Sequence, residues 1–371
     1  MKSTRAIRII TSLSVGVVLI SAFSWLGLGQ VSGAIDRIDV FATLKDRPDK
    51  PNKALNYLLV GSDTREGLTK DQRKLLRVGS TATAAGSRSD TMLIVHISKS
   101  RDKATLISIP RDSLVTIPEH VSSLNKTKIV PAAKGKINAA FAFGGAPLLI
   151  QTLENETGLR MDHYIEIGFA GFAGMVDALG GIEVCTKRDI DDPGSHLVLP
   201  AGVHTLNGVE SLKYVRTRDF DGMGDLGRMQ RQQEFMGALL RKVTSTGVLL
   251  NPIKLVSFFN AAIATVTTDS ELNKSDLLTL VKQMKNLSPS KVRTLTIPLS
   301  DTNARVPGVG SVVIWDPVLA LELFNRLRED LPLIDEVTPS PSSTSTAKAT
   351  TTVIDKFKTR TADENPCGAL K

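Results

Sequence analysis

An uncharged apolar stretch near the N-terminus places the strongest limit on what this chain of 371 residues can form. Residues 9–29 contain no charged side chain, whereas Lys2, Arg5 and Arg8 precede them and the first acidic residue is Asp36. As a helix, these 21 residues reach about 30 Å, which matches the hydrocarbon core of a bilayer. Since basic residues favour the cytoplasmic side, the sequence predicts a transmembrane helix over 9–29 that follows a cytoplasmic N-terminus, residues 1–8.

A cleaved signal peptide is the alternative for this stretch, because Ser32-Gly33-Ala34 is an acceptable cleavage site. Secretory signals usually have a shorter apolar region, of about 7–15 residues, so a retained anchor is the preferred interpretation. In both cases the rest of the chain is expected outside the cytoplasm. With the preferred anchor it is the extracellular part of a single-pass protein of the cell membrane. That location argues against a nucleic-acid partner, and so does an aromatic content of only 5%.

The remainder divides into three segments by composition. Residues 30–52 are polar, include Pro48 and Pro51, and are predicted to form a stalk. Residues 53–335 alternate apolar runs with helical stretches and are predicted to form one domain. Residues 336–371 are predicted to be a flexible tail, because residues 338–352 hold ten Ser or Thr and two Pro, which cannot supply a core.

Within the domain, the pattern of apolar residues predicts an α/β fold. Short, partly β-branched runs indicate buried strands over 55–60, 91–97 and 104–109. Helices are predicted over 147–156, 169–179, 225–243 and 317–328, the last with Asp316 as its N-cap. This alternation is typical of a central β-sheet covered by helices on both faces, with functional sites at the strand ends.

Charged residues concentrate at these predicted strand ends. Asp63 follows the first strand, Arg88 and Asp90 precede the second, and Arg111 follows the third. Further along come Arg216, Arg218, Asp225, Arg228 and Gln232, the last three one turn apart on a helix. Arginine binds phosphate in a bidentate manner, and carboxylates beside it suit a Mg²⁺ ion that completes its shell with phosphate oxygens. The residues therefore predict an extracytoplasmic site for a phosphate-bearing ligand.

Other chemistries lack their sequence marks. The chain contains no GxSxG, GxxxxGK[ST] or GxGxxG motif, which excludes the usual lipase-like, P-loop and dinucleotide-binding arrangements. Its two cysteines and five dispersed histidines do not form a zinc motif. The excess of 46 Lys and Arg over 38 Asp and Glu is consistent with an anionic partner.

Six segments of the chain together resemble the LytR-CpsA-Psr (LCP) family of cell-wall proteins. They run in the family's order over most of 55–236, and a TIP motif follows at Thr296–Pro298. The segments are NYLLVGSDTR, RSDTMLIVHIS, ATLISIPRDSLVTIP, KINAAFAFGG, YIEIGFAGFAGMVDALGGIEV and YVRTRDFDGMGDLGRMQRQQEFM.

The resemblance implies a phosphotransferase that moves a glycopolymer from a polyprenyl-pyrophosphate carrier onto a hydroxyl of peptidoglycan, usually the 6-OH of N-acetylmuramic acid. It implies Asp63 and Asp90 as ligands of Mg²⁺, with Mn²⁺ as a substitute, and Asp225 as an acidic residue near the phosphates. It implies a pyrophosphate clamp made of Arg88, Arg111, Lys136, Arg216, Arg218, Arg228 and Gln232. A lipid pocket is expected from Phe141, Phe143, Phe169 and Phe172.

Several points stay open at this stage. Either Asp63 or Asp225 is a candidate for the base that accepts the hydroxyl proton. A pyrophosphatase with water as the nucleophile and a non-catalytic regulator of the cell envelope are the alternative functions. The nature of the transferred polymer is not specified by any residue.

The two cysteines, Cys185 and Cys367, predict a disulfide. Thiol pairs outside the cytoplasm tend to be oxidised, and a cysteine in a polar tail has few other structural roles. Such a bond would tie the tail to the domain. The alternative is a buried Cys185 thiol and a Cys367 that pairs with another molecule or stays reduced.

Overall fold

The computed structural model describes residues 36–64, 67–76, 78, 89–245, 266–273, 276, 279–280, 283, 287–337, 352–364 and 367–368. The predicted transmembrane segment, residues 9–29, lies outside the described residues. Within the described part of the chain, no helix is both long enough and apolar enough to cross a bilayer.

The described strands begin close to where the anchor prediction ends and continue to the C-terminal segment. In chain order, β1 to β10 are Asp36–Ile38, Leu55–Ser62, Ser89–Ile97, Ala104–Ile109, Leu114–Ile117, His120–Val121, Ile129–Val130, Ala133–Lys136, His163–Ile167 and Ile182–Thr186. Strands β11 to β20 are Ile190–Asp192, Leu197–Leu199, Gly202–Leu206, Val266–Asp269, Val292–Thr296, Leu299–Val306, Gly310–Trp315, Asp335–Val337, Thr352–Ile354 and Arg360–Thr361.

The described α-helices, α1 to α6, are Lys70–Leu75, Ile137–Thr157, Phe169–Ala178, Gly208–Tyr214, Gly224–Ser245 and Pro317–Arg328. All four predicted helices are present. The helix predicted from Pro147 is the second half of α2, because Gly145 adopts a positive φ of 65° and kinks the helix just before the proline. Helix α6 begins as predicted, with the Asp316 carboxylate accepting hydrogen bonds from the backbone N–H groups of Val318 and Leu319.

A mixed eight-stranded sheet, in the order β1-β14-β9-β2-β3-β4-β15-β20, forms the centre of the molecule. Its three middle strands are the three that the sequence predicts. Strand β3 is antiparallel to both β2 and β4, whereas β2 is parallel to β9 and β4 is parallel to β15. The C-terminal ends of β2 and β4 therefore lie at the same edge of the sheet as the N-terminal end of β3.

Helices cover both faces of this sheet, as predicted. On one face Leu58 and Ile107 pack in a large core with Leu149 of α2 and Leu323 of α6. On the other face Leu106 belongs to a smaller core together with Met236 of α5. A third core joins α3, α4 and α5 beside the sheet. Because side chains alternate along a strand, each middle strand contributes to both layers.

The segment predicted as a stalk is part of the domain in its described portion, residues 36–52. Strand β1 pairs in parallel with β14 at the edge of the sheet. Val40 and Phe41 are buried in the large core, and Arg47 forms an ion pair with the buried Glu154 at 2.6 Å. The domain boundary predicted at residue 53 is therefore wrong. Although this segment is polar overall, it supplies a short strand and two buried apolar side chains.

The prediction of a flexible tail is also wrong for residues 352–364. Strand β20 pairs with β15 as an edge strand of the main sheet, and the N–H of Ala362 donates to the carbonyl of Val292 at 2.9 Å. Phe357 is buried in the large core. Cys185 and Cys367 are joined in a disulfide with Cα atoms 5.9 Å apart, across a sequence separation of 182 residues.

Candidate active site

The charged residues that follow or precede the three middle strands meet at one edge of the sheet. Ser62 at the end of β2 pairs with Ser89 at the start of β3, and Met92 pairs with Ile109 at the end of β4. Asp63 directly follows Ser62, and Arg111 follows Ile109 by two residues. The predicted convergence of these strand ends is therefore present. Asp90 lies in β3, but its side chain and all of Arg88 fall outside the described residues.

Three guanidinium groups from separate parts of the chain surround the carboxylate of Asp225. Its Oδ1 atom lies 2.6 Å from Nη2 of Arg228, 3.7 Å from Nε of Arg218 and 3.8 Å from Nε of Arg111. The Arg228 side chain is only 3% exposed. The Asp225 carboxylate thus gathers three cationic side chains in one place, and basic side chains grouped in this way are typical of a site for an anionic ligand.

Lys136 joins this cluster through Asp112, which the sequence places at a strand end beside Arg111 but to which no role was assigned. Its Nζ atom lies 2.9 Å from Oδ1 of Asp112, and Oδ2 of Asp112 lies 3.4 Å from Nε of Arg111. Lys136 is the last residue of β8, which pairs with β5 immediately after the Arg111-Asp112 turn. Asp112 thus links the two cations. The signal for it was its position next to Arg111.

The loop that carries Arg216 and Arg218 is held in place by α5. The Arg231 guanidinium donates to the carbonyl of Thr217 at 2.6 Å and forms an ion pair with Asp221 at 2.5 Å. Gln232 donates its side-chain N–H to the carbonyl of Val215 at 3.1 Å and to Oγ1 of Thr91 at 3.0 Å. Gln232 therefore connects the loop to β3, rather than only facing a ligand as the sequence implies.

Asp192, at the end of β11, also holds the loop that carries Arg216 and Arg218. The sequence analysis did not predict a role for it. Its Oδ1 atom accepts hydrogen bonds from the backbone N–H groups of Arg218 at 3.0 Å and Asp219 at 2.6 Å, and its Oδ2 accepts from that of Ser195 at 2.6 Å. Burial would raise the pKa of this carboxyl, but hydrogen bonds from these three residues outweigh burial and hold its pKa below the ordinary value. The charged form of Asp192 thus fixes the backbone beside Arg218.

A pocket of about 440 Å³ opens between the strand ends and helices α3, α4 and α5. One end of it is polar and is lined by Asp63, Asp192, Arg216, Arg218, Asp219, Arg228 and Gln232. Arg216 extends over the ring of Phe169, with its Cζ atom 5.0 Å from the ring centroid. This stacking fixes one guanidinium at the boundary between the polar end and the interior.

The rest of the pocket is apolar. Its walls come from strands β2 and β3 and from helices α3, α4 and α5. The apolar lining residues are Leu59, Leu93, Phe169, Phe172, Met175, Leu212, Phe235, Met236 and Leu239. Phe172 and Phe235 pack against each other in its wall, with ring centroids 5.3 Å apart. A cavity with an arginine-rich mouth and a hydrocarbon interior is suited to an anionic group that is attached to a long apolar chain.

Only two of the four phenylalanines predicted for a lipid pocket line this cavity. Phe169 and Phe172 do so, but Phe141 is packed in the large core on the other face of the sheet. Phe143 is 44% exposed and stacks on His120 at the surface. Helix α2 packs on the face of the sheet opposite to the pocket, so neither residue reaches it. Phe235 and Leu239 also line the pocket but were not predicted, although they lie among the apolar residues of α5.

The Asp63 carboxylate at the mouth is the kind of oxygen donor that suits a hard divalent cation beside a bound phosphate. Asp63 lines the polar end beside Arg216 and Arg228. In the described part of the chain, no three His, Cys, Asp or Glu side chains are grouped so that they could hold a metal ion. One or two carboxylates are nevertheless the usual protein contribution to Mg²⁺ when a phosphate supplies further oxygens.

Comparison with known proteins identifies the family to which these features point. The model of the LytR_cpsA_psr family matches residues 33–322 of this chain. The probable cell wall biosynthesis protein LcpB of Corynebacterium glutamicum is 39% identical over 273 residues, which are 74% of this chain and 61% of LcpB. The chain thus spans less than two thirds of the length of that relative.

Two further matches concern proteins called TagT. The Bacillus subtilis polyisoprenyl-teichoic acid–peptidoglycan teichoic acid transferase TagT is 32% identical over 228 residues, covering 59% of this chain and 60% of TagT. A solved structure of TagT bound to LIIa-WTA matches with a TM-score of 0.57 and 25% identity, covering 80% of this chain and 99% of that chain. The same overall fold therefore underlies the pocket described above.

Proposed function

This chain belongs to the LytR-CpsA-Psr family, and we propose that it is a phosphotransferase that moves a glycopolymer from a polyprenyl-pyrophosphate carrier onto a hydroxyl of peptidoglycan. One observation carries the proposal: a single cavity joins an arginine-lined mouth to an apolar interior. Such a donor has the same order of parts, since its pyrophosphate lies between a hydrocarbon chain and a polar polymer. The names of the relatives, a teichoic acid transferase among them, support this donor and acceptor class.

The apolar interior would hold the first isoprene units of the carrier. Each buried methylene contributes about 0.8 kcal/mol, so even part of a prenyl chain adds several kcal/mol of binding energy. The donor would enter from the membrane, to which the predicted segment 9–29 would anchor the domain on the outer side. The carrier then fixes the position of the pyrophosphate at the mouth.

The arginines at the mouth would bind the pyrophosphate. Arg216, Arg218 and Arg228 line the pocket, while Arg111 and Lys136 lie next to them through Asp225 and Asp112. Gln232 and Asp192 hold the backbone of the loop that carries Arg216 and Arg218. These arginines would therefore need little rearrangement as negative charge shifts to the leaving phosphate, which is how a preorganised site lowers a barrier. We include Arg88 in the clamp on the family resemblance alone.

Asp63 and Asp90 would hold a divalent cation, Mg²⁺ or Mn²⁺, at the same mouth. When bound, the ion would neutralise charge on the phosphates and thereby favour departure of the prenyl phosphate. In the reaction, the acceptor oxygen forms a bond to the phosphorus that carries the polymer. The bond from that phosphorus to the bridging oxygen of the prenyl phosphate breaks, and the hydroxyl proton passes to a carboxylate of the mouth, Asp63 or Asp225.

A reconstituted transfer assay tests the proposal. Full-length protein is given a short saccharide linked to polyprenyl pyrophosphate, soluble peptidoglycan strands and Mg²⁺, and polymer–peptidoglycan product is measured separately from released polymer phosphate. We expect covalent transfer, and a loss of at least a hundredfold in rate for Arg218→Ala. A charge-assisted contact contributes about 1.5–3 kcal/mol, and a guanidinium can donate two of them to one phosphate.

Arg305→Ala is the matched control, because Arg305 is an exposed arginine on β16, outside the site. It should retain the wild-type rate. Phosphate release without transfer in the presence of acceptor would replace the proposal with a pyrophosphatase. Neither product with the wild-type protein would favour a non-catalytic role.

A further inference from the structure

A second cavity, of about 430 Å³, lies on the opposite side of α5 from the pocket. Its wall on α5 runs from Gly227 to Arg241, which corresponds to about 20 Å of helix. The loop after β10, the loop before α5 and residues 360–364 of the C-terminal segment form the other walls. We name this cavity the α5 groove. Its length fits an extended chain rather than a compact small molecule.

The α5 groove has an excess of basic side chains. Five basic residues line it, Lys187, Arg188, Arg231, Arg241 and Arg360, against three acidic ones, Asp221, Glu234 and Glu364. Two pairs cancel within the wall, Asp221 with Arg231 at 2.5 Å and Glu234 with Arg360 at 3.3 Å. The remaining lining charges are Lys187, Arg188 and Arg241 against Glu364. Lys187 and Arg188 are exposed, and neither forms an ion pair with any residue that the structure describes. The groove therefore favours a ligand with acidic groups.

Arg231 and Phe220 form a stacked pair in the wall of the groove. The Arg231 residue is only 6% exposed. Its guanidinium lies 4.7 Å from the ring centroid of Phe220. Phe220 and Met223 also line the groove and supply apolar contacts for the faces of sugar rings.

The position of the groove relative to the pocket indicates which substrate it holds. Gly227 lines the groove and the next residue, Arg228, lines the pocket, so the N-terminal end of α5 separates the two cavities. In phosphoryl transfer, the attacking and leaving oxygens are roughly in line across the phosphorus. A prenyl phosphate that leaves into the pocket therefore requires the acceptor hydroxyl to approach from the other side.

We infer that the α5 groove binds the acceptor, as an extended glycan strand that carries carboxylates, and that it presents the hydroxyl at the N-terminal end of α5. This inference rests on the proposed function. The C-terminal segment is then part of the substrate site, because residues 360–364 form one wall and the Cys185–Cys367 disulfide holds them beside β10. Lys187 and Arg188, just after β10, would contact carboxylates of the strand.

The double substitution Lys187→Ala/Arg188→Ala in the full-length protein tests the inference. The acceptor probe is a soluble tetrasaccharide of N-acetylglucosamine and N-acetylmuramic acid that bears stem peptides. We expect the KM for this acceptor to rise about tenfold, since each exposed ion pair contributes up to about 1 kcal/mol. The KM for the prenyl donor and the release of polymer phosphate to water should be unchanged. Lys126→Ala/Lys128→Ala removes the same charge from exposed residues elsewhere and should leave the acceptor KM unaltered.

A binding measurement without donor separates this inference from the proposed function. Titration of the protein with the same tetrasaccharide should show weaker binding for the double variant, whereas an uncharged N-acetylglucosamine tetramer should bind variant and wild type equally. An unchanged acceptor affinity in the variant would overturn the inference, and so would a rise in the donor KM alone, which would assign the groove to the donor polymer. If the wild-type protein catalyses no transfer, the proposed function fails, and this titration alone decides whether the groove binds the glycan.

Discussion

Substitution of Asp192 by asparagine isolates the contribution of one buried carboxylate to the arginine loop. Asp192 is 1% exposed and accepts three backbone hydrogen bonds, two of them from the residues Arg218 and Asp219. An amide retains one accepting oxygen but loses the charge, and it turns an N–H group toward a backbone N–H of the loop. Hydrogen bonds to a charged group contribute about 1.5–3 kcal/mol, against about 1 kcal/mol for neutral pairs. We therefore expect the free energy of unfolding to fall by about 3–5 kcal/mol at pH 7, which is close to the cost of breaking a buried charged pair.

The pH dependence gives this prediction its sign. The pKa of Asp192 in the folded protein lies below its ordinary value, so its charged form stabilises the fold above the unfolded-state pKa. That contribution is lost as the pH falls through the folded-state pKa. The difference in free energy of unfolding between wild type and Asp192→Asn should thus be largest at neutral pH and should shrink in acid.

Urea unfolding of both proteins at a series of pH values measures this difference, and the transfer assay measures whether Arg218 still acts. Asp191→Asn is the matched control, because Asp191 is the preceding residue of the same strand but is exposed. It should unfold like the wild type at every pH. A stability difference for Asp192→Asn that is absent at pH 7, or that grows on acidification, would refute the role given to the charged carboxylate.

Three further predictions concern the metal, the lipid pocket and the packing of the pocket wall. Asp63→Asn should raise the Mg²⁺ concentration needed for half-maximal transfer, because an amide supplies an oxygen without the charge; an unchanged Mg²⁺ titration would remove Asp63 as a ligand. Phe172→Ala should raise the KM for a long-chain prenyl donor about tenfold through lost apolar contact, whereas Phe143→Ala should not, and equal effects would contradict the pocket lining. Gly208→Ala should lower the melting temperature, because the new Cβ would overlap the carbonyl oxygen of Ala173; calorimetry showing no decrease would count against this contact between α3 and α4.

The sequence predicts those features of the fold that depend on local patterns. Strands β2, β3 and β4 are continuous apolar runs, and such runs indicate strands that are buried on both faces wherever they lie in the chain. Helix α6 has its own N-cap and a proline at its first position. Since the charged residues follow these strands directly, their gathering at one edge of the sheet could be predicted as well.

The errors concern features that depend on pairing between distant residues. Strands β1 and β20 have three and two residues, so their own sequences contain too little pattern to predict them. Their existence follows from the exposed edges of β14 and β15, which are distant in the chain. Phe141 and Phe169 are both aromatic residues on helices. Only the side of the sheet on which each helix packs decides which of them reaches the pocket.

Helix α5 gives a physical reason why the site and the C-terminal segment are coupled. On one side, Arg228 and Gln232 face the pocket and its loop; on the other, Arg241 donates to carbonyl oxygens of the C-terminal segment, including that of Glu364 at 3.3 Å. If α5 shifted along its axis, it would lose both the contacts of Arg228 and Gln232 and those of Arg241. These residues are fixed about 20 Å apart on one rigid helix. The register of α5 that places Asp225 beside Arg111 and Arg218 is therefore the register that closes the wall of the α5 groove. A short edge strand and one disulfide thus help to determine where the arginines of the mouth lie.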